Sequence, residues 1–332
     1  MNGRRLVLVS LFAALLAGTL RAASDPNVSA APTGRVPRIG ILGYGVAPAL
    51  IDLLRQSLKD LGRVEGRDYV FEQRATEARI DELPGRAEEL LRLKVDVILA
   101  SGTPSVRTAQ QATRTVPIVM VGIGADPVQL GFVQSLARPG ANVTGVAAQA
   151  TEIMGKRLQL FRTAVPKASH VSFLSNPSNP GNLLAAKEFG VVATAAGLRT
   201  HFVTAKDLGE LDRALAEIAR EAPDALVCAW DTFLRLHARR IFDFALQRRL
   251  PTLSPIREFV EAGALMSYGT DLPNQWKLAA RYLDRILGGT KPADLPVEQP
   301  LQFELVINRK TAKALGLTIP PELMLLADRV IE

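Results

Sequence analysis

One cysteine and three histidines in 332 residues remove several kinds of chemistry at once. Cys228 cannot form an internal disulfide, no zinc site can be assembled from several thiolates, and too few imidazoles remain for a histidine-rich centre. No metal or other cofactor is expected. The nucleotide-binding glycine patterns also fail. Gly43 and Gly45 would need a third glycine where Pro48 stands, and Gly122 and Gly124 meet Pro127 at the same offset. The chain contains neither a G-x-x-x-x-G-K-[ST] loop nor a serine between glycines as G-x-S-x-G. His170, His201 and His237 are too scattered for metal-ligand spacing, and each reads as a structural or exposed residue.

What is present is the composition of a globular protein, 48% hydrophobic and 22% charged, in a chain long enough for two domains or lobes. The formal charge of +7 suggests nucleic acid, but Arg4, Arg5 and Arg21 belong to the N-terminal segment. Without residues 1–24 the balance is 37 basic against 33 acidic side chains, or +4. The basic runs beyond that point are pairs such as Arg239-Arg240 and Arg248-Arg249, the pattern of a solvated helix face. Nucleic acid is not an expected partner.

Residues 1–24 have a basic start, an apolar stretch from Leu6 to Leu20 and small residues Ala22, Ala23 and Ser24, the layout of a secretory signal peptide. The stretch is shorter than the roughly twenty apolar residues of a membrane span, and it is interrupted by Ser10, Gly18 and Thr19. The expectation is export to the periplasm or another extracytoplasmic compartment, with residues 25–37 as a disordered leader. No cysteine stands near the cleavage region to carry a lipid.

From Arg38 onward short apolar runs alternate with helical patterns, which predicts an α/β protein with parallel sheets covered by helices on both faces. Residues 38–43 read as a strand. In the helix that follows, Leu50, Leu53, Leu54, Leu58 and Leu61 share one stripe, stopped by Gly62. The unit repeats to residue 148, with a short helix expected after Asp126-Pro127. A second set runs from residue 151 to residue 268 and includes one helix over 234–247. Two similar Rossmann-like halves emerge. A tail with a helix over 273–287, a strand over 301–307 and a helix over 309–315 completes the chain.

In such sheets ligands sit beyond the carboxyl ends of the strands, so the strand-to-helix loops hold the candidates. Ser101-Gly102-Thr103 offers two hydroxyls and a glycine at a helix start, suited to an anion; it reads equally as a plain N-cap by Thr103. Asp126 and Asp231 end strands, where a carboxylate holds a ligand ammonium or hydroxyl or else caps its own helix. Asn176 lies in an equivalent loop. Tyr44, Trp230 and Tyr268, with Phe233, stand at the same rim, where aromatics enclose an apolar ligand group or pack the lobes together. Cys228, inside an apolar strand, reads as a core residue.

The stretches LKVDVILASGTPSVRTAQQATRTVPIVM, VQSLARPGANVTGV, REFVEAGALMSYGTDLP and PADLPVEQPLQFELVINRKTAKALGLTIPPELMLLADRVIE resemble substrate-binding proteins of ABC transporters, in the family that includes tryptophan and tyrosine binders. The resemblance runs from about Arg38 to Glu332. It implies a type I periplasmic-binding fold, with two lobes joined by three crossing segments: 38–147 plus 271–297 as lobe one, 148–270 plus 298–332 as lobe two. Carried onto matching positions, it selects Ser101, Gly102, Thr103, Asp126, Asn176, Asp231 and Tyr268 for the cleft. The sequence departs from the family pattern at Gly124-Ala125-Asp126-Pro127, which has an extra residue before the Asp-Pro, and at Tyr44-Gly45, where smaller residues are usual. The implied function is capture of a small amino-acid-like or carboxylate solute by hinge closure, in a monomer that hands it to an ABC permease. The competing readings are a solute receptor that signals to a membrane sensor and an exported enzyme. The enzyme reading finds no nucleophile or acid-base pair in the loops.

Overall fold

The computed structural model describes residues 35–76, 79–147, 151–299 and 302–332. The expected signal segment 1–24 and residues 25–34 of the leader lie outside them. The first part of the chain forms β1 (Arg38–Tyr44), α1 (Pro48–Asp60), β2 (Val70–Thr76), α2 (Leu83–Arg92), β3 (Val97–Ser101), α3 (Thr103–Ala112), β4 (Ile118–Ile123) and β5 (Val143–Ala147). The strands make a parallel five-stranded sheet in the order β2-β1-β3-β4-β5.

Strand alternation explains why both faces of this sheet are covered. Ile39, Ile41, Val97, Leu99, Val119 and Val121 point to one side, and Leu42, Ile98, Ala100, Ile118 and Met120 to the other; all are buried in two separate clusters.

The second part contains α4 (Thr151–Ala164), β6 (His170–Ser175), α5 (Pro180–Ala195), β7 (Arg199–Thr204), α6 (Leu208–Glu221), β8 (Ala225–Cys228), α7 (Thr232–Leu236), α8 (Ala238–Gln247), β9 (Thr252–Ser254), α9 (Arg257–Glu261) and β10 (Met266–Thr270). After α10 (Leu272–Leu287) come β11 (Phe303–Asn308), α11 (Arg309–Leu315), α12 (Pro321–Leu326) and β12 (Arg329–Ile331). Seven strands form the second sheet, ordered β12-β11-β10-β9-β8-β6-β7. Its pairs are parallel except for β10 with β11.

The chain does not keep its halves separate. Although α10 follows β10 of the second sheet, its Trp276, Ala279, Ala280, Leu283 and Ile286 are buried with Ile39, Val97 and Leu99 of the first. Beyond α10 the chain runs along the edge of β5, where the Glu298 N–H donates to the Gly145 carbonyl (3.0 Å) and the Ala147 N–H to the Glu298 carbonyl (3.1 Å). It then enters the second sheet as β11. The two lobes are thus tied by passages after β5, after β10 and after Glu298.

Three local expectations need correction. The segment after Asp126-Pro127 forms turns, not a helix; Leu130 and Phe132 close single bonds to Asp126 and Pro127, and Gly131 at φ 70° ends the run. The expected helix over 234–247 is two helices, α7 and α8, parted at His237 with φ −106° and ψ 15°. The sequence reading also has no counterpart for α12 and β12, whose short spans carry too little periodicity.

Candidate functional site

Both sheets reverse their strand order beside the first strand of each lobe, between β1 and β3 and between β6 and β8. Their carboxyl ends meet there, which is where an open α/β sheet leaves a crevice. A cavity opens between them, lined from both sheets. The first lobe contributes Thr103, Ile123 and Gly124 at strand ends, with Leu272 and Gln275 from α10. The second contributes Met154 and Arg157 from α4, Asn182, Ala185 and Glu188 from α5, Phe173 from β6, and the β8 end from Val227 to Trp230. The wall is mainly apolar, with a few polar groups at fixed points, the usual make-up of a small-molecule site.

The expected residues divide between this cavity and its rim. Thr103 and Trp230 line it; Tyr44, Ser101, Gly102, Asp126, Asn176, Asp231 and Tyr268 do not. Gly102, at φ 84°, is the N-cap of α3 and makes no side-chain cap bond. Its N–H is spent on the Val121 carbonyl at 2.9 Å. The capping alternative for Thr103 therefore gives way to Gly102, where the positive φ suits glycine. Asp126 accepts from the Val128 N–H at 2.8 Å and from Gln129 at 3.3 Å, so its carboxylate caps its own turn outside the cavity. The Tyr268 ring packs on Phe303, centroids 5.8 Å apart. Only the Tyr268 carbonyl turns toward the site, accepting from Arg157 Nε at 2.7 Å.

Asp231 is 0% exposed and compensated from within the protein. It caps α7 through the N–H groups of Phe233 (2.8 Å) and Leu234 (3.3 Å). Asn176 Nδ2 donates to it at 3.1 Å, Asn179 Nδ2 at 2.9 Å, and Tyr44 Oη at 2.7 Å from across the lobes. A carboxylate offers about four lone-pair positions, so these donors occupy them. Burial together with the Asp231 charge and hydrogen bond holds the Tyr44 phenol well above its ordinary pKa, so it stays a donor. Two further bonds join the lobes beside this one: Arg235 Nη2 to the Gly45 carbonyl at 2.6 Å, and Trp230 Nε1 to the Gly122 carbonyl at 3.2 Å.

Gln275, Asn182, Arg157 and Glu188 escaped the sequence reading. Gln275 ties the Gly122 N–H (3.1 Å) to the Thr270 hydroxyl (2.7 Å), joining the first sheet to the end of β10. Asn182 donates to the Trp230 carbonyl at 2.7 Å and accepts from the Asn176 N–H at 2.9 Å. Arg157 and Glu188 had a detectable signal. Arg157 follows Met154 by three positions, next to the buried Leu158 and Phe161, and Glu188 follows Ala185 by three. Arg157 puts a charge on a helix stripe that is otherwise apolar, and Glu188 puts one on a stripe shared with Ala185 and the buried Asn182. Burial pushes the Arg157 guanidinium down to about 10, opposed first by Tyr268 and then by the Glu188 charge, so Arg157 remains cationic at neutral pH. Burial alone pushes the Cys228 thiol up to about 12, which makes it an unreactive part of the apolar wall.

A family model described as ABC transporter substrate binding protein matches residues 49–331. The tyrosine-binding protein of Clostridioides difficile strain R20291 is 26% identical over 269 residues, which cover 79% of this chain and 75% of that protein. A conserved domain protein from Vibrio cholerae superposes with a TM-score of 0.82 at 25% identity, covering 89% of this chain and 100% of that one. An ABC domain from Streptococcus pneumoniae in complex with L-Trp gives 0.82 at 24% identity, over 90% and 100%. A ligand-free, open substrate-binding protein from Clostridium difficile gives 0.65 at 23% identity, over 89% and 99%.

Proposed function

The chain belongs to the ABC transporter substrate-binding protein family, and from that premise we propose that it is an extracytoplasmic solute-binding protein. It captures a small amino-acid-like or other amphipathic carboxylate solute between its lobes and delivers it to an ABC permease. The lobes divide as 38–147 plus 271–297 and 148–270 plus 298–332, and residues 1–24 direct export. The observation that carries this reading is the cavity itself, walled from both sheets by apolar side chains around a few polar ones.

A solute held by one lobe alone cannot favour closure, whereas one that touches both stabilises the closed form by its differential contacts. Moving a population from 1:99 to 99:1 takes about 5.5 kcal/mol. The interlobe hydrogen bonds are already part of the solute-free equilibrium, so the solute must supply the difference, through burial of an apolar group against Phe173, Ile123 and Trp230 and polar contacts to both lobes. The relatives named for tyrosine and crystallised with L-Trp support an aromatic amino acid as the first class to try.

Titration calorimetry of the exported protein against amino acids and organic acids, with small-angle scattering of the same samples, tests the proposal. Saturable binding that contracts the molecule is expected. Scattering that no compound changes, together with turnover of one of them, would overturn it.

A further inference from the structure

Asp231, the natural receiver for a solute's ammonium at a strand end, is closed to it. Its oxygens are taken by Tyr44, Asn176, Asn179 and two backbone N–H groups, and the carboxylate is wholly buried. Tyr44 supplies from the opposite lobe the donor that a solute would otherwise bring. The charged groups that line the cavity itself are Arg157 and Glu188, on neighbouring helices of the second lobe.

Arg157 has capacity to spare. Among the described residues, Nε donates to the Tyr268 carbonyl at 2.7 Å and Nη1 meets the Met154 sulfur at 3.6 Å. Among the described residues it forms no ion pair within 4 Å. A guanidinium carries five N–H donors in a planar fork suited to a carboxylate, more than the Tyr268 carbonyl and the Met154 sulfur take up. Glu188 already has a partner within the protein, and a carboxylate presents about four acceptor positions on its two oxygens. Its field already reaches Arg157. The two charges balance, and that balance selects among solutes. A bare carboxylate on Arg157 would also meet the repulsion of Glu188, a bare amine on Glu188 would meet that of Arg157, and each would give up its hydration. A solute with both groups satisfies both charges and adds no net charge to a desolvated site.

We propose that Arg157 and Glu188 read the carboxylate and the ammonium of a zwitterionic solute inside the second lobe, and that Tyr44 has withdrawn Asp231 from ligand recognition and made it an interlobe tie. The assignment rests on reading the cavity as the solute site.

The test is calorimetry with three matched sets: L-leucine, 4-methylpentanoate and isopentylamine; L-tyrosine, 3-(4-hydroxyphenyl)propionate and tyramine; L-tryptophan, indole-3-propionate and tryptamine. Wild-type protein is expected to bind at least one amino acid 10-fold or more tightly than both truncated partners. Arg157→Met should abolish the preference over the amine, and Glu188→Gln the preference over the desamino acid. Asp231→Asn should leave both ratios within about 3-fold while it weakens all binding together. Equal affinity for an amino acid and its desamino acid in wild type overturns the assignment without recourse to any variant, and so does loss of the ammonium preference in Asp231→Asn alone. If no member of the sets binds but another solute does, the zwitterion assignment fails and the solute-binding reading stands. If nothing binds, both fail.

Discussion

His170 begins β6 with its ring buried. Nδ1 lies 2.7 Å from Arg199 Nη2, and Nε2 lies 3.3 Å from Glu221. Arginine can only donate, so Nδ1 must accept, and the neutral ring carries its proton on Nε2. Burial and then the Arg199 charge hold its pKa below the ordinary imidazole value, with Glu221 and Asp224 opposing. Burial and Arg240 do the same to His237. A group with a lowered folded pKa gives stability that is fully present above its unfolded pKa, about 6.5. That stability erodes as pH falls from there through the folded value. The urea midpoint should therefore drop between pH 7.5 and pH 5.5. In His170→Asn, whose side-chain oxygen can still accept from Arg199, the drop should be smaller. An equal drop in both proteins would remove His170 as a cause. None of this was legible in the sequence, where the histidine stood simply at a strand start, because Arg199 and Glu221 reach it only through the pairing of β6 with β7 and the packing of α6.

At the scale of elements, α6 shows local signals sufficient by themselves. Asp207 caps it by accepting from the Glu210 N–H at 2.8 Å, and Glu210 reaches back to the Lys206 N–H at 3.1 Å. The D-x-x-E spacing is the sequence mark of a helix start, although Glu210 takes the N–H of the residue before the cap and not that of Asp207 itself. Asp207→Ala should cost about 1 kcal/mol in denaturant-melt stability and leave solute affinity unchanged, since α6 is remote from the cavity; a change in affinity would contradict that separation. The turn after Asp126-Pro127 carries similar signals, an aspartate and a proline, yet no helix follows. The cap is made, but Gly131 and the burial of Phe132 and Val133 draw the chain inward before a second turn can form. Caps show where a helix can start, and packing decides whether it continues.

For the whole molecule the question is how closely the lobes approach. Gly181, in the first turn of α5, faces Thr103 at the start of α3: a Cβ there would lie 2.7 Å from Thr103 Oγ1. Real side chains do not sit that close, so Gly181→Val should hold the lobes apart at the cavity mouth. Solute affinity should fall 10-fold or more, and the liganded molecule should keep a larger radius of gyration than wild type. The thermal midpoint without solute should shift by only a few degrees, because each lobe keeps its own core. Wild-type affinity in this variant would show that Thr103 yields and that the contact does not limit closure.

The sequence by itself determined the two α/β halves, most strand and helix limits, and the rim on which Tyr44, Thr103, Asn176 and Asp231 stand. Period-2 and period-3.6 patterning and strand-end loops are local properties, and local properties can be read in order along a chain. Only the tertiary structure decided which rim residues face the cavity and which face each other. Tyr44 and Asp231 are 187 positions apart, and no pattern in either stretch shows that one fills the other's hydrogen-bonding capacity. The same holds for Arg157 and Glu188. Arg157 appears in sequence as a stray charge on an apolar stripe and Glu188 as one on a stripe with Ala185 and Asn182, and they become a balanced pair only when α4 and α5 pack side by side beneath the joined ends of the two sheets.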